Sequence, residues 1–284
     1  MVFLCIVTLE NQLTRYNFWI ISINSTASFV MAYLFIFYVN QMMYVLTAGM
    51  YSYPVTVDYA TYFFHIEPYQ WTHDAVFLIF SAGYVATFII GILSVLGFYS
   101  LMADPIPVKI FFFWLIIHSA TYFFGGLLLG NLLTQGIGHV FNWMYLQDTA
   151  KLLLALVGFF GLLTIAIFAF SMIATSANVY FTRYTEKMSP FFLTAQVFVP
   201  YLIGSVMVYL YFIPKSFFQE RYGWIVLGIM LIIFYMRSRF ADDLMFDEDE
   251  NRRIRPMRGL IIFTLLFYLG SRLAMHRGIY FNWN

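Results

Sequence analysis

The sequence predicts an all-α fold: a polytopic transmembrane helical bundle of about seven spans (six to seven), with interfacial helical segments. Three observations predict it. Of 284 residues, 62% are hydrophobic and only 10% charged, too few charges to coat a soluble core of that size, so the surplus apolar surface must face lipid. Long apolar runs recur; the one opening at Pro107 continues past Lys109 for about 25 residues in which only His118 is ionisable. A run of that length crosses a hydrocarbon core of roughly 30 Å at about 1.5 Å per residue. Prolines, glycines and charge clusters then punctuate these runs at intervals that suit turns at the membrane surface.

The formal net charge of +1 gives no attraction to nucleic acid, and the lone cysteine, Cys5, excludes an intrachain disulfide and a cysteine metal cluster. Residues 1–15 carry a short apolar stretch with no positive charge ahead of it, which is not the order of a secretory signal, so the chain is expected to be mature throughout. The 34 Phe and 22 Tyr exceed ordinary usage, and interfacial aromatic belts account for part of them.

Span one covers 18–47. Asn24 and Ser28 stand four apart on one helix face, which therefore meets protein rather than lipid. Residues 51–74, with Pro54, Asp58, His65, Glu67, Pro68, His73 and Asp74 but no Lys or Arg, read as a loop with an interfacial piece around TYFFHIEPYQW. Span two covers 75–101 and ends at ADPIP, where two prolines break the helix. Span three covers 108–134. Its Gly126-x3-Gly130 pair allows close helix approach, and the following GIGHVFNWMYLQD forms an aromatic interfacial segment. Span four covers 151–173, with Asp148 as the expected N-cap. Span five, 190–213, contains Pro200, which removes the usual donor to the carbonyl of Gln196 and predicts a kink with a local polar spot. Spans six and seven, 223–236 and 259–275, are short. Residues 237–258 between them are dense in both signs and read as a solvated loop.

Positive charge sets the orientation. With seven crossings, Arg15, Lys109, Arg183, Lys187 and six arginines of 237–258 share one side, against Lys151, Lys215, Arg221, Arg272 and Arg277 on the other. The richer side is expected to be cytoplasmic (or its matrix equivalent), together with the N-terminus, and the C-terminus lies opposite. Arg272 is expected to snorkel to water.

That orientation gathers His65, His73 and His139 on the outer face near several carboxylates. Imidazole and carboxylate ligate transition metals, so these three are the candidate metal ligands, although His65-x7-His73 matches no sharp motif. The bland alternative is that they cap helix ends. His118, near the middle of span three, must face the bundle or a cavity. With Tyr122 four residues on, and Gln196 at the Pro200 kink, it makes a candidate substrate or polar path.

No glycine-rich phosphate loop and no GxSxG elbow occurs, and spans one to five hold no deep carboxylate for an ion pump. FFFWLIIHSA, with the seven-span count, resembles cytochrome oxidase subunit III over about ten residues, without that family's buried acidic residue and later histidine motif. The resemblance assigns no function. The leading expectation is a non-catalytic, membrane-embedded subunit or scaffold of a larger complex, with lipid and membrane proteins as partners and no cofactor. The alternatives are a metal-dependent membrane enzyme, or a transporter of a neutral or lipid-like substrate.

Overall fold

The computed structural model describes residues 13–133, 136–215, 218–238, 243–246 and 254–283. These residues are overwhelmingly helical. α1 is Arg15–Met50, α2 His73–Ser100 and α3 Val108–Gly125, the last continued by a π-turn at Gly126–Gly130 and by Asn131–Leu133. The short α4 is Gly138–Trp143, and α5 is Asp148–Ser176. α6 is built from Ser189–Leu193, a π-turn at Thr194–Phe198, and Val199–Phe212; α7 is Phe218–Ser238 and α8 Arg258–Ala274. Five helices are long and apolar enough to cross a membrane: α1, α2, α3, α5 and α6. Against the expected count of about seven, α7 contributes a shorter apolar stretch, Gly223–Arg237, and α8 is 17 residues long.

α1 is the central rod. Its 36 residues reach about 54 Å, longer than the roughly 30 Å hydrocarbon core, so both ends overhang. It starts at Thr14, whose hydroxyl accepts from Asn17 N at 3.2 Å, a side-chain cap for an orphan amide. Its sides pack against α2, α3, α6 and α8, and α3 in turn packs against α5 and α7. Hydroxyls along the rods satisfy themselves locally: Thr26, Thr87 and Thr121 each donate to a carbonyl four residues back, the arrangement that lets a polar side chain sit where no water is available. Asn24, expected to face protein, does so. Its amide nitrogen donates to Arg255 O at 3.0 Å and Tyr180 Oη at 3.3 Å, and its oxygen accepts from Met257 N at 2.8 Å, fixing the chain that leads into α8.

Glycines allow the closest approaches. A Cβ on Gly158 of α5 would lie 2.6 Å from Phe124 O of α3. Gly126 accepts the ring of Tyr84 from α2, and Gly138 lies directly against Gly130 O, which seats α4 under the end of α3. The interfacial segment divides accordingly. Val140 and Phe141 turn inward onto Tyr84 and Leu127, while Trp143, Met144 and Tyr145 remain exposed.

Residues 51–74 correct the loop expectation. β1 (Val55–Val57) and β2 (Tyr62–Phe64) form a hairpin, and β5 (Ile279–Phe281) pairs antiparallel with the other edge of β1. Asp58 makes the turn: its Oδ1 accepts from Ala60 N at 2.8 Å and Thr61 N at 2.7 Å, an Asx-type geometry that reverses the chain. β3 (Arg183–Tyr184) pairs with β4 (Leu244–Met245), and the Arg183–Asp243 ion pair at 3.3 Å flanks them. β4 thus adds a small strand inside the expected solvated loop; Arg239, Arg252 and Arg253 of that loop lie outside the described residues. The two sheets sit at opposite ends of α1, since Asn24 near its start touches Tyr180 while Tyr44 near its finish packs on Tyr62.

One smaller expectation is corrected. The N-cap of α5 is Gln147, with Asp148 in the first turn, where its charge suits the helix dipole. Arg272 is partly exposed and also bonded within the protein. It donates to Leu210 O at 2.8 Å and Ile213 O at 2.7 Å, closing the carbonyl end of α6, and its guanidinium lies 5.3 Å from the ring centre of Tyr59.

Candidate functional site

A cavity of about 400 Å³ opens among α1, α3, α6 and α7, within the roughly 300–1,000 Å³ typical of small-molecule sites. α1 supplies Phe29, Tyr33, Ile36 and Phe37; α3 supplies His118, Thr121, Tyr122 and both glycines of its final turns. The outer half of α6, from Tyr201 to Tyr209, and Gly223–Leu227 of α7 complete it. Among the described residues lining it, none is Asp, Glu, Lys or Arg.

Sequence and packing together place His118 there. It is the eleventh residue of α3, about 15 Å along the helix from Val108 and so near the middle of that helix's apolar length. Only 5% of it is exposed. Three rings surround the imidazole: Phe29 edge-on at 4.5 Å, Tyr33 edge-on at 5.3 Å and Trp114 stacked at 5.8 Å. The ring hydrogen-bonds the backbone carbonyl of Phe29, while Nε2 has no partner among the described residues. A neutral imidazole that donates from one ring nitrogen offers the other as an acceptor.

Gln196 lies apart from the cavity lining and is fully buried, with both side-chain amide atoms unpartnered among the described residues. Its backbone carbonyl is the one Pro200 strips of a helical donor, and the structure shows the replacement. Ser25 Oγ of α1 donates to it at 2.6 Å, and Trp114 Nε1 of α3 donates to the same Oγ at 2.8 Å. Three helices are thus joined by two hydrogen bonds at the π-turn before Pro200, beside the aromatic box of His118. The sequence pointed to the orphan carbonyl, but not to Ser25 or Trp114; the one cue was the run of small polar residues Asn24–Ser28 facing protein.

The outer histidines fare differently. His65 Nε2 is hydrogen-bonded to Thr56 Oγ1 at 2.7 Å, and its ring is packed between Phe63 at 4.9 Å and Tyr280 at 5.3 Å. His73 is the exposed first residue of α2, and His139 is exposed on α4. All three lie toward the β1–β2–β5 end of the bundle, yet among the described residues no three His, Cys, Asp or Glu side chains gather into a group able to hold a metal ion. His65 is committed to its sheet, and the helix starts carry the other two away from it.

At that same end, Asp58 Oδ2 pairs with Lys215 Nζ, joining the β1–β2 turn to the chain after α6. Burial opposes ionisation of Asp58, but the Lys215 ammonium and the amides of Ala60 and Thr61 outweigh it and hold the carboxyl below its ordinary range. Lys215 also lies 5.7 Å from the centre of the Tyr59 ring, and His276 stacks on that ring at 6.2 Å.

Comparison with protein families, with curated proteins and with solved structures found no match for this chain.

Proposed function

We propose that this is an integral membrane protein of seven crossings that holds one neutral small molecule in the His118 cavity, acting as a non-catalytic binding subunit within the membrane. The observation that carries the reading is His118, a buried imidazole with an unpartnered nitrogen, lining a cavity of small-molecule size whose described lining includes no Asp, Glu, Lys or Arg. Seven crossings, rather than five, draw support from the small sheets. β4 joins β3 at one end of the bundle and β5 joins β1 at the other, so α8 runs from end to end, and α7 precedes it in the opposite sense. Under the charge bias the β3–β4 end is cytoplasmic. Lipid suits the exposed apolar faces of α2 and α5, such as Ile89, Leu93, Leu152 and Phe160, and a neighbouring subunit would dock there too.

The test is native mass spectrometry of protein extracted in mild detergent. Wild type should carry a retained neutral molecule, and Ser205→Phe, which fills the cavity, should lose it without change in helix content. Correctly folded wild type that retains and binds nothing there would overturn the reading. One observation favours a second reading, a carrier: α6 is interrupted beside the cavity by a π-turn and by Pro200, features found where helices bend in function. Uptake by proteoliposomes that is lost in Ser205→Phe separates a carrier from a static binder.

A further inference from the structure

Resting on the reading of the cavity as a binding site, we infer that its occupant is a neutral lipid bearing a hydroxyl-type donor, admitted sideways from the bilayer between α6 and α7. The class follows from what the site offers. Nε2 of His118 is an acceptor, so the complementary group is an O–H or N–H. A carboxylate or phosphate would be stripped of water at mid-bilayer with no cation in the described lining to meet it, a cost of several kcal/mol or more. An ether or a plain hydrocarbon would fit the apolar walls and leave Nε2 unsatisfied.

The route follows from how the walls close. Leu202 and Val206 of α6 and Trp224 of α7 line the cavity and are also more than half exposed. α6 and α7 touch sparsely, and a hydrogen bond from Tyr201 Oη to Trp224 O, 2.9 Å, spans them. Among the described residues, the α6–α7 side is therefore where the cavity wall is least tightly closed. A lipid sliding in from the bilayer brings its hydroxyl to the His118 side of the cavity while its chain remains among Phe29, Phe37 and Leu202.

The experiment uses the full chain in nanodiscs with three diazirine probes of one chain length: a long-chain alcohol, its methyl ether and the matching carboxylate. Adducts are mapped by mass spectrometry. The alcohol should label α3, α6 or α7 around the cavity roughly tenfold more strongly than the ether, the ratio expected of one buried hydrogen bond, and the carboxylate should label them least. His118→Phe should reduce alcohol labelling to the ether's level and leave the ether unchanged. His118→Gln, which restores an acceptor, should recover part of the difference. Tyr201→Phe, which opens the span between α6 and α7, should hasten exchange of a bound alcohol. Equal labelling by alcohol and ether, unaltered in His118→Phe, would overturn the hydroxyl assignment and leave the binding site standing. Adducts confined to the outer faces of α2 and α5 would overturn both. If His118→Phe does not fold, the alcohol-to-ether ratio on wild type decides. An exchange rate unmoved by Tyr201→Phe would overturn the lateral route alone.

Discussion

Trp114 Nε1 and Ser25 Oγ stand 2.8 Å apart, and the serine hydroxyl in turn donates to Gln196 O at 2.6 Å. One hydroxyl thereby serves as acceptor for α3 and donor for α6, at the place where Pro200 leaves the α6 backbone short of a bond. Ser25→Ala should destabilise the protein by about 1–3 kcal/mol, the cost of leaving buried groups unpaired. Trp114→Phe removes the other half of the pair. The double variant should lose less than the sum of the two single losses, because both break the same connection, and thermal melts in detergent measure the difference.

Asn24 makes three hydrogen bonds to Tyr180, Arg255 and Met257. Asn24→Ala should therefore release the lead-in to α8 locally, at a cost of about 1–3 kcal/mol. Amide exchange at Met257 should quicken while exchange in the middle of α1 stays unchanged. Uniform quickening throughout the bundle would show instead that Asn24 supports the whole fold.

Asp58 confers an acid sensitivity whose sign is fixed. Its folded-state pKa is lowered, so its contribution is fully present above the unfolded carboxylate range, roughly pH 4, and is lost as pH falls through the folded value. Lys215, raised by its bond to Asp58, contributes in the opposite window and weakens only as pH rises through its folded value. Melting of the wild type should drop on acidification below about pH 4, and Asp58→Asn, already without the pair, should show a shallower drop.

The proposed seven crossings would place the two sheets, which lie at opposite ends of α1, on opposite sides of the membrane. In a Cys5→Ser background, cysteines placed at Phe63 on β2 and at Met245 on β4, which are 64% and 75% exposed, should react with an impermeant reagent from opposite faces of sealed vesicles. Reaction of both from the same face would rule out an odd number of passages between them.

What could be read from the sequence was what long periodic runs carry. The five long helices, the protein-facing Asn24 and the vulnerable carbonyl of Gln196 each follow from local rules about length, spacing and proline. The strands were illegible because two or three residues cannot show an alternation, and their partners lie far away along the chain. The cavity was half legible. His118 and Tyr122 stood out as polar groups in an apolar run, whereas Phe29, Tyr33 and the α6–α7 wall depend on which faces of four helices meet. His65, His73 and His139 lie toward one end of the bundle, and among the described residues they form no group of three with other ligating side chains, because a shared end limits depth without limiting lateral position.

The pairing of β5 with β1 bears on the order of assembly. During stepwise insertion the first hairpin is delivered early and waits with one edge unsatisfied until α8 is in place and β5 can close it. The clasp therefore closes last, and a chain lacking residues 279–281 would leave that edge of β1 unpaired.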